Sequence, residues 1–359
     1  MKQCYINKLK STLQFHFPWN KARLGFLLDF TTSLIICSSI RLSRIALFMN
    51  TKVKSESNYR RIQNFFQKYE LRSEEYGRFV LAHLPDKKRF YLVMDRTNWK
   101  FGKGNINILM LGVIYKKICL PLYWTLLDKG GSSNTKERRN LLEKAIEMVG
   151  KQRIKALLAD REFIGVRWFQ YLIKEQIEFH IRLPKQIKVG SLLEENRKPI
   201  TELFRHFKDS VSIDRLRPVK ILGYNLYVSG MRTKKDHCII VSSKNNLNSL
   251  EKYQMRWTIE NMFGAFKTRG FNFEDTHMAD LEKLRKLMVL VSIVYLWSVM
   301  IGLWYDKTTP IKLTNFGRKR ISIFKYGFNY LTAFIKKLLD GNIYNDFEFN
   351  EVNKILSCT

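Results

Sequence analysis

The run from Leu287 to Trp304, LMVLVSIVYLWSVMIGLW, sets 18 residues in succession without a charge. Any fold of this chain has to provide for it. The run just reaches the length a helix needs to cross a bilayer, but a helix buried on all sides in a large core has the same signature. A single short span would leave the basic bulk of the chain unexplained, so burial is the expectation. With 359 residues, 45% of them hydrophobic, the chain is long enough for one large or two ordinary domains with real cores.

Lys and Arg number 63 against 32 Asp and Glu, a formal net charge of +31. Charge of this sign attracts nucleic acid, anionic membrane or acidic protein. The basic residues are spread along the whole chain, which fits an electropositive surface following a duplex better than a short targeting signal. A merely basic protein would share this composition. Cys4, Cys37, Cys119, Cys238 and Cys358 lack paired spacing, so neither a zinc module nor a disulfide framework is indicated. The start, MKQCYINKLK, leads into polar STLQFHFPWNKAR and not into an apolar core with a cleavage site, so a cytoplasmic location is expected. His16, His83, His180, His206, His237 and His277 show no ligand-gathering spacing.

Residues 1–87 carry apolar positions at steps of three and four, such as Leu24, Leu27, Leu28, Leu34 and Ile35, then Ile62, Phe65, Phe66 and Tyr69, and are predicted to form a helical N-terminal domain. Within it, SESNYRRIQNFFQKYELRSEEYGRFVLAHLP suggests a helix capped at Ser55 or Ser57 and a second beginning near Ser73, joined by a tight turn. Such a pair can lay one helix in a DNA groove, or it can simply be a packing unit. After Pro85 the period changes. RFYLVMD (89–95), INILMLGVIY (106–115) and ICLPLYWTLLD (118–128) read as strands, followed by a helix over 135–149, the strand IKALLAD (154–160), a helix over 166–175 and the strand EFHIRLP (178–184).

This βββαβαβ order predicts an α/β mixed sheet with flanking helices, and it is also the order of the ribonuclease H-like fold. Short strand-like runs over about 186–246 read as a β insertion. Helix returns from about Leu250, and residues 306–359 read as a basic helical tail whose end, NIYNDFEFNEVNKILSCT, is loosely ordered.

Asp95 is predicted to end the first strand and Asp160 the fourth. Carboxyl ends of strands in open α/β sheets are where ligands gather, so the two acids can face one crevice. Two close carboxylates repel unless a proton or a hard cation such as Mg²⁺ or Mn²⁺ relieves them. Either Asp alone would read as a helix cap or turn former. In YQMRWTIENMFGAFK, Tyr253, Arg256, Glu260 and Lys267 follow at steps of three, four and seven, within roughly 60° of one another on a continuous helix. Such a face suits metal binding by Glu260 and phosphate contacts by Arg256, Lys267 and Tyr253; a solvated stripe with an Arg256–Glu260 pair has the same pattern.

Asp95 in MDRTNW, Asp160 in LADREF, and the Y-x2-R-x3-E-x6-K pattern of Tyr253, Arg256, Glu260 and Lys267 together resemble the DDE transposases of bacterial insertion sequences, specifically the insertion-sequence-four family with its YREK signature. The resemblance covers about residues 88–305. It implies a ribonuclease H-like catalytic core holding two Mg²⁺ (or Mn²⁺) ions, with Asp95 bridging both and Asp160 and Glu260 completing one shell each. It also implies that Tyr253, Arg256 and Lys267 hold the terminal DNA strand, that Trp257 or Trp99 stacks a displaced base, and that a homodimer acts on paired double-stranded DNA ends and target DNA. Arg161 and Glu162 are candidates for orienting the carboxylates, or for a plain surface ion pair. A related nuclease or resolvase would share the acids, a binding-only regulator should lack one of them, and a membrane protein would rest on residues 287–304 alone.

Overall fold

Apolar side chains at helical spacing on both ends of the chain, and β-branched runs between them, divide it into helical and sheet-bearing parts. A computed structural model describes residues 2–49, 52–101, 104–190, 197–206, 210–214, 217–232, 236–245, 247–341 and 346–358. In chain order the helices α1 (Lys2–His16), α2 (Lys21–Cys37), α3 (Leu42–Phe48), α4 (Ser55–Lys68) and α5 (Ser73–Ala82) precede the strands β1 (Phe90–Phe101), β2 (Gly104–Tyr115) and β3 (Ile118–Leu127). Then come α6 (Thr135–Val149), β4 (Ile154–Ala159), α7 (Val166–Lys174), β5 (Phe179–Arg182), and the shorter β6 (Lys188–Val189), β7 (Lys198–Pro199), β8 (Ser212–Asp214) and β9 (Val219–Ile221). The chain continues through β10 (Tyr224–Arg232), β11 (His237–Ser242), α8 (Ser249–Gln254), α9 (Trp257–Phe266), α10 (Leu281–Thr308), α11 (Ile323–Leu339) and α12 (Asp346–Ser357).

Two compact units result: Met1–His83 with Trp99–Gly104 and Phe263–Thr359, and Leu84–Asn98 with Asn105–Met262. Three consecutive segments were expected, a helical domain, a core and a tail. Instead, the N-terminal helices and the C-terminal segment share one unit, and the reason is the apolar run. Lys286 through Gly302 are buried without interruption in α10. Their cover comes from α2, α4, α5, α11 and α12, so both chain ends are needed to bury one helix. Tyr76 Oη donates to the Ser292 carbonyl at 3.2 Å and Trp297 Nε1 to that of Leu356 at 2.9 Å. Among the described residues α10 is the single helix long and apolar enough to cross a membrane, unless α2 and α3, bent by 102°, are counted as one span.

The helical unit departs from expectation in three respects. The end of the chain is not loose: Asp346–Ser357 forms α12, with Phe349, Val352 and Leu356 buried; residues 342–345 and 359 lie outside the described residues. Neither Ser55 nor Ser57 caps α4. The N-cap is Lys54, which has no side-chain hydrogen bond. Nor is α4–α5 a self-contained pair: α4 packs on α3, and α5 packs on α10 and α1.

α10 and α11 cross backbone to backbone. A methyl group at Gly327 would overlap the Ser298 carbonyl oxygen, and one at Gly302 the Ile323 carbonyl oxygen. Backbone atoms cannot swing aside as a flexible side chain can, so Gly327→Ala is expected to destabilise the protein by about 2–3 kcal/mol, as overpacking a tight core does. Urea unfolding would read this, and an unchanged midpoint would mean that the crossing is looser than described.

The second unit is a mixed sheet with helices, in the order β3-β2-β1-β4-β5-β11-β10-β9-β6-β7, with β8 paired to β10. β1, β4 and β5 run parallel, which requires crossovers; α6 leads into β4 and α7 into β5. α6 starts at a reciprocal cap between Asn134 and Glu137, which satisfies two otherwise orphaned backbone N–H groups. β2 and β3 are antiparallel. The strand order is the ribonuclease H-like one expected. The β insertion is less separate than its sequence suggests, because β11 pairs antiparallel with β5 and with β10, carrying the same sheet onward. Residues 191–196, 207–209, 215–216, 233–235 and 246 of that segment lie outside the described residues.

Candidate active site

The parallel register of β1 and β4 pairs Met94 with Ala159, so Asp95 and Asp160 each follow the last paired residue, on backbones roughly 5 Å apart. Asp95 does not end its strand as expected. β1 continues to Phe101 while β4 stops at Ala159, so Asp95 lies where the parallel pairing ends, and its carboxylate reaches the crevice without the chain turning there. Its side chain is 14% exposed. One oxygen accepts the Arg96 backbone N–H at 2.8 Å and the other Arg256 Nη1 at 2.9 Å.

Tyr253, Arg256 and Glu260 do not share a continuous helix. α8 ends at Gln254 and α9 begins at Trp257, and between them the backbone tightens: the Arg256 N–H bonds the Tyr253 carbonyl at 2.8 Å and the Ile259 N–H that of Arg256 at 3.0 Å. These i to i−3 bonds are a 3₁₀-like break, which re-aims the side chains. Tyr253 Oη donates to Asp160 Oδ1 at 3.1 Å. Arg256 gives Nη1 to Asp95 and Nη2 to Glu260 Oε1 at 2.5 Å. Tyr253 and Arg256 therefore engage the carboxylates.

Arg256 has a 7% exposed side chain, and its Nε is buried without a hydrogen bond. Burial pulls the guanidinium pKa down, but Tyr253, Asp95, Asp160 and Glu260 outweigh it and raise it. Burial also pushes the Asp95 carboxyl up to about 6, and Glu162 and Asp160 add to this against the opposing Arg96 N–H and Arg256. Burial likewise raises the Tyr253 phenol, and Asp160 does the same, so it stays a donor.

Three further residues, which sequence reasoning missed, hold the Asp160 loop. Arg96 donates to Glu162 Oε2 at 3.2 and 3.3 Å and to Asn107 Oδ1 at 3.1 Å. Asn107 is fixed by the carbonyls of Lys129 and Gly131. Buried Arg138 donates to Ser133 and to the Glu162 carbonyl. A signal present in the sequence was a pair of charges opposite to each other, Arg96 one residue after Asp95 and Glu162 two residues after Asp160, just past the segment where β1 and β4 pair in register. Of the two residues singled out beside Asp160, Glu162 has this role, while Arg161 is exposed.

Trp257 is 62% exposed at the start of α9. Lys267 and Trp99 belong to the other compact unit. There Lys267 pairs with Glu274 at 2.8 Å and lies 5.5 Å from the Trp99 ring centre, and Trp99 packs edge-on against Phe273. Lys267 follows the last residue of α9, so the expected helical face ends before it.

Among the described residues no three Asp, Glu, His or Cys side chains stand together as a ready metal site; Glu260 reaches Asp95 by way of Arg256. The donor chemistry nevertheless fits a hard divalent cation, because two neighbouring carboxylates, one of them resisting ionisation, are what such an ion relieves. A pH dependence follows. The folded-state pKa of Asp95 lies above its ordinary 3.8, so the stability it contributes is complete below about pH 4 and is lost as pH rises through about 6, roughly 3 kcal/mol in all. Metal-free protein is expected to melt higher at pH 5 than Asp95 alone would allow at pH 8, and 5 mM Mn²⁺ (about 5 mM, in large excess) should raise the melting temperature more at pH 8. Equal Mn²⁺ shifts at both values would remove Asp95 as the responsive group.

No curated protein matches the sequence. Among solved structures, Marinitoga piezophila Argonaute in complex with 5′ OH guide RNA and target DNA is similar over 59% of this chain and 31% of that one, at 15% identity and a TM-score of 0.19, too slight a likeness to carry an argument. The family model described as transposase DDE domain matches residues 92–297, from β1 into α10. That is more than half of the chain, and the protein belongs to the DDE-domain transposases, a family of DNA-cleaving enzymes.

Proposed function

We propose that this transposase cleaves DNA at the ends of an insertion sequence and joins the freed strand to a target, as a member of the insertion-sequence-four branch carrying the YREK signature. The observation that carries this reading is the convergence of Asp95, Asp160 and Glu260, from two parallel strands and α9, on the single pair of residues Tyr253 and Arg256.

Asp95, Asp160 and Glu260 would hold two Mg²⁺ or Mn²⁺ ions. When bound, the ions supply a nucleophile at neutral pH and charge stabilisation of the displaced oxygen. Arg256 keeps Asp95 and Glu260 compensated before metal arrives, and competes with a cation for the same oxygens. Tyr253 orients Asp160. The Arg256 guanidinium and the Tyr253 hydroxyl, when not engaged by the carboxylates, would donate to phosphate oxygens of the terminal strand, and Lys267 would contact DNA from its own unit. The exposed Trp257 ring offers a face to an unstacked base, whereas Trp99, packed on Phe273, offers less.

The N-terminal helices bind DNA, and a homodimer brackets two double-stranded ends in the cytoplasm. The test is nicking of a supercoiled plasmid carrying the element's ends, in Mg²⁺ and in EDTA. Metal-dependent nicking at those ends supports the reading; binding of the ends without cutting under any metal would replace it with a binding-only regulator.

A further inference from the structure

Helix α4 keeps one face fully committed and the other fully open. Asn58, Ile62, Phe65 and Phe66 are buried. Glu56, Ser57, Tyr59, Arg60, Gln63, Asn64 and Gln67 are exposed, and at about 100° per residue they form one polar arc of roughly 160°. Arg, Gln, Asn, Glu and Ser are the side chains able to hydrogen-bond base edges in the major groove. None of this arc serves the fold's core, and the other helix of the expected pair, α5, has no such face to offer because Ser73, Tyr76, Phe79, Val80 and Leu81 are all buried.

A groove runs along each flank of α4. On one side a space of about 1120 Å³ lies against Arg41, Arg44, Arg60, Tyr59 and Gln63 with two acids, Glu56 and Asp275, the latter in an exposed 3.7 Å pair with Arg41. On the other a space of about 580 Å³ lies against Lys10, Lys21, Arg23, Arg60, Arg61 and Asn64. Five cations meet a single acid there, Asp29, which Arg61 already engages at 2.8 Å. Arg23 is stacked 4.3 Å from the Tyr69 ring centre, and its Nε is buried without a hydrogen bond. A planar guanidinium held this way is preset for an oxyanion.

We propose that α4 is the base-reading element of this protein and enters the major groove of duplex DNA, with Lys10, Lys21 and Arg23 on one phosphate backbone and Arg41 and Arg44 on the other. The proposal deepens the DNA-binding reading of the N-terminal helices and rests on it. The dimensions agree: 14 residues make a helix about 21 Å long, the groove is about 12 Å wide, and phosphates border it on both sides as the cations border α4. Gln63 and Asn64 are the side chains placed to pair bidentately with adenine, Arg60 with guanine and Glu56 with cytosine. A single strand has no two-walled groove for this arrangement to fit.

The full-length protein, kept in EDTA so that nothing is cut, is used to select binding sites from a duplex library with a randomised central segment. Recovery of a recurrent short sequence is expected. The Gln63→Ala/Asn64→Ala double variant, altered only at exposed positions, should bind that sequence roughly ten- to a hundredfold more weakly while binding scrambled duplex within about twofold of the parent. Lys10→Ala/Lys21→Ala should weaken both duplexes alike and lower the slope of log affinity against log salt by about 2.

A double variant that selects the same sequence with unchanged affinity overturns the proposal. Tighter binding of single-stranded than of duplex probes overturns it too. If either occurs while the parent still nicks plasmid in Mg²⁺, the transposase reading survives; a parent that neither binds nor nicks DNA removes both.

Discussion

Asp95→Asn and Glu260→Gln are each expected to lower metal-dependent nicking of end-bearing plasmid by roughly 10³-fold or more, the scale seen when a member of a concerted catalytic set is removed. Both changes nearly preserve shape and hydrogen-bonding reach, so the effect isolates charge. Asp95 is the more exacting case. Its carboxyl is held near 6 by burial, so Asn removes a group that costs the metal-free fold stability above that pH. The variant should therefore be inactive and yet no less stable at pH 8, provided Arg256 keeps Glu260 as a partner.

Glu260 is 38% exposed and is expected to cost little stability when neutralised. Binding of end DNA in EDTA should persist in both variants, which separates chemistry from recognition. Activity within tenfold of the parent for Glu260→Gln would exclude that carboxylate from the reacting centre, and the site would then need another third ligand.

Arg256→Ala is expected to destabilise the metal-free protein by about 3–5 kcal/mol at pH 8, because deleting one partner of a buried ion pair strands the other. Here the stranded group is Asp95, 14% exposed beside Asp160 and Glu162. The sign with pH is fixed. Without the guanidinium the already raised Asp95 pKa moves further up, so at pH 5 the carboxyl binds a proton and the penalty shrinks, whereas at pH 8 it is fully present.

Arg256→Lys should recover only part of the loss, since one ammonium cannot present two fixed donors to Asp95 and Glu260 at once. Mn²⁺ should recover part of it in the Ala variant if it takes the same oxygens. Urea midpoints at pH 5 and pH 8, with and without Mn²⁺, measure all of this. A loss below about 1 kcal/mol, or one identical at both pH values, would mean that Arg256 does not compensate Asp95.

Local pattern alone determined a good deal of this protein. The change from a step of three and four to β-branched runs after Pro85 marked the start of the sheet, and the βββαβαβ order gave the observed β3-β2-β1-β4-β5 arrangement, because short connections and buried parallel strands leave few alternatives. The uncharged stretch 287–304 was rightly read as core. Asp95 and Asp160 could be singled out because each ends an apolar run that needs no acid. These features depend on nearest neighbours along the chain, and side-chain periodicity reports them directly.

The tertiary structure decided what depends on contacts between distant segments. Only packing shows that α10 is covered from both chain ends, so that the supposed tail and the N-terminal helices form one unit. Only strand register sets Asp95 beside Asp160 although β1 runs on past it. A helical projection placed Tyr253, Arg256, Glu260 and Lys267 on one face, but the backbone breaks at Met255–Arg256, because the pull of two carboxylates on one buried guanidinium outweighs the small preference for continuing a helix. Arg96, Asn107 and Arg138, which fasten the Asp160 loop, carried no periodic signal, since a hydrogen bond between residues 66 positions apart imposes no period on either local segment.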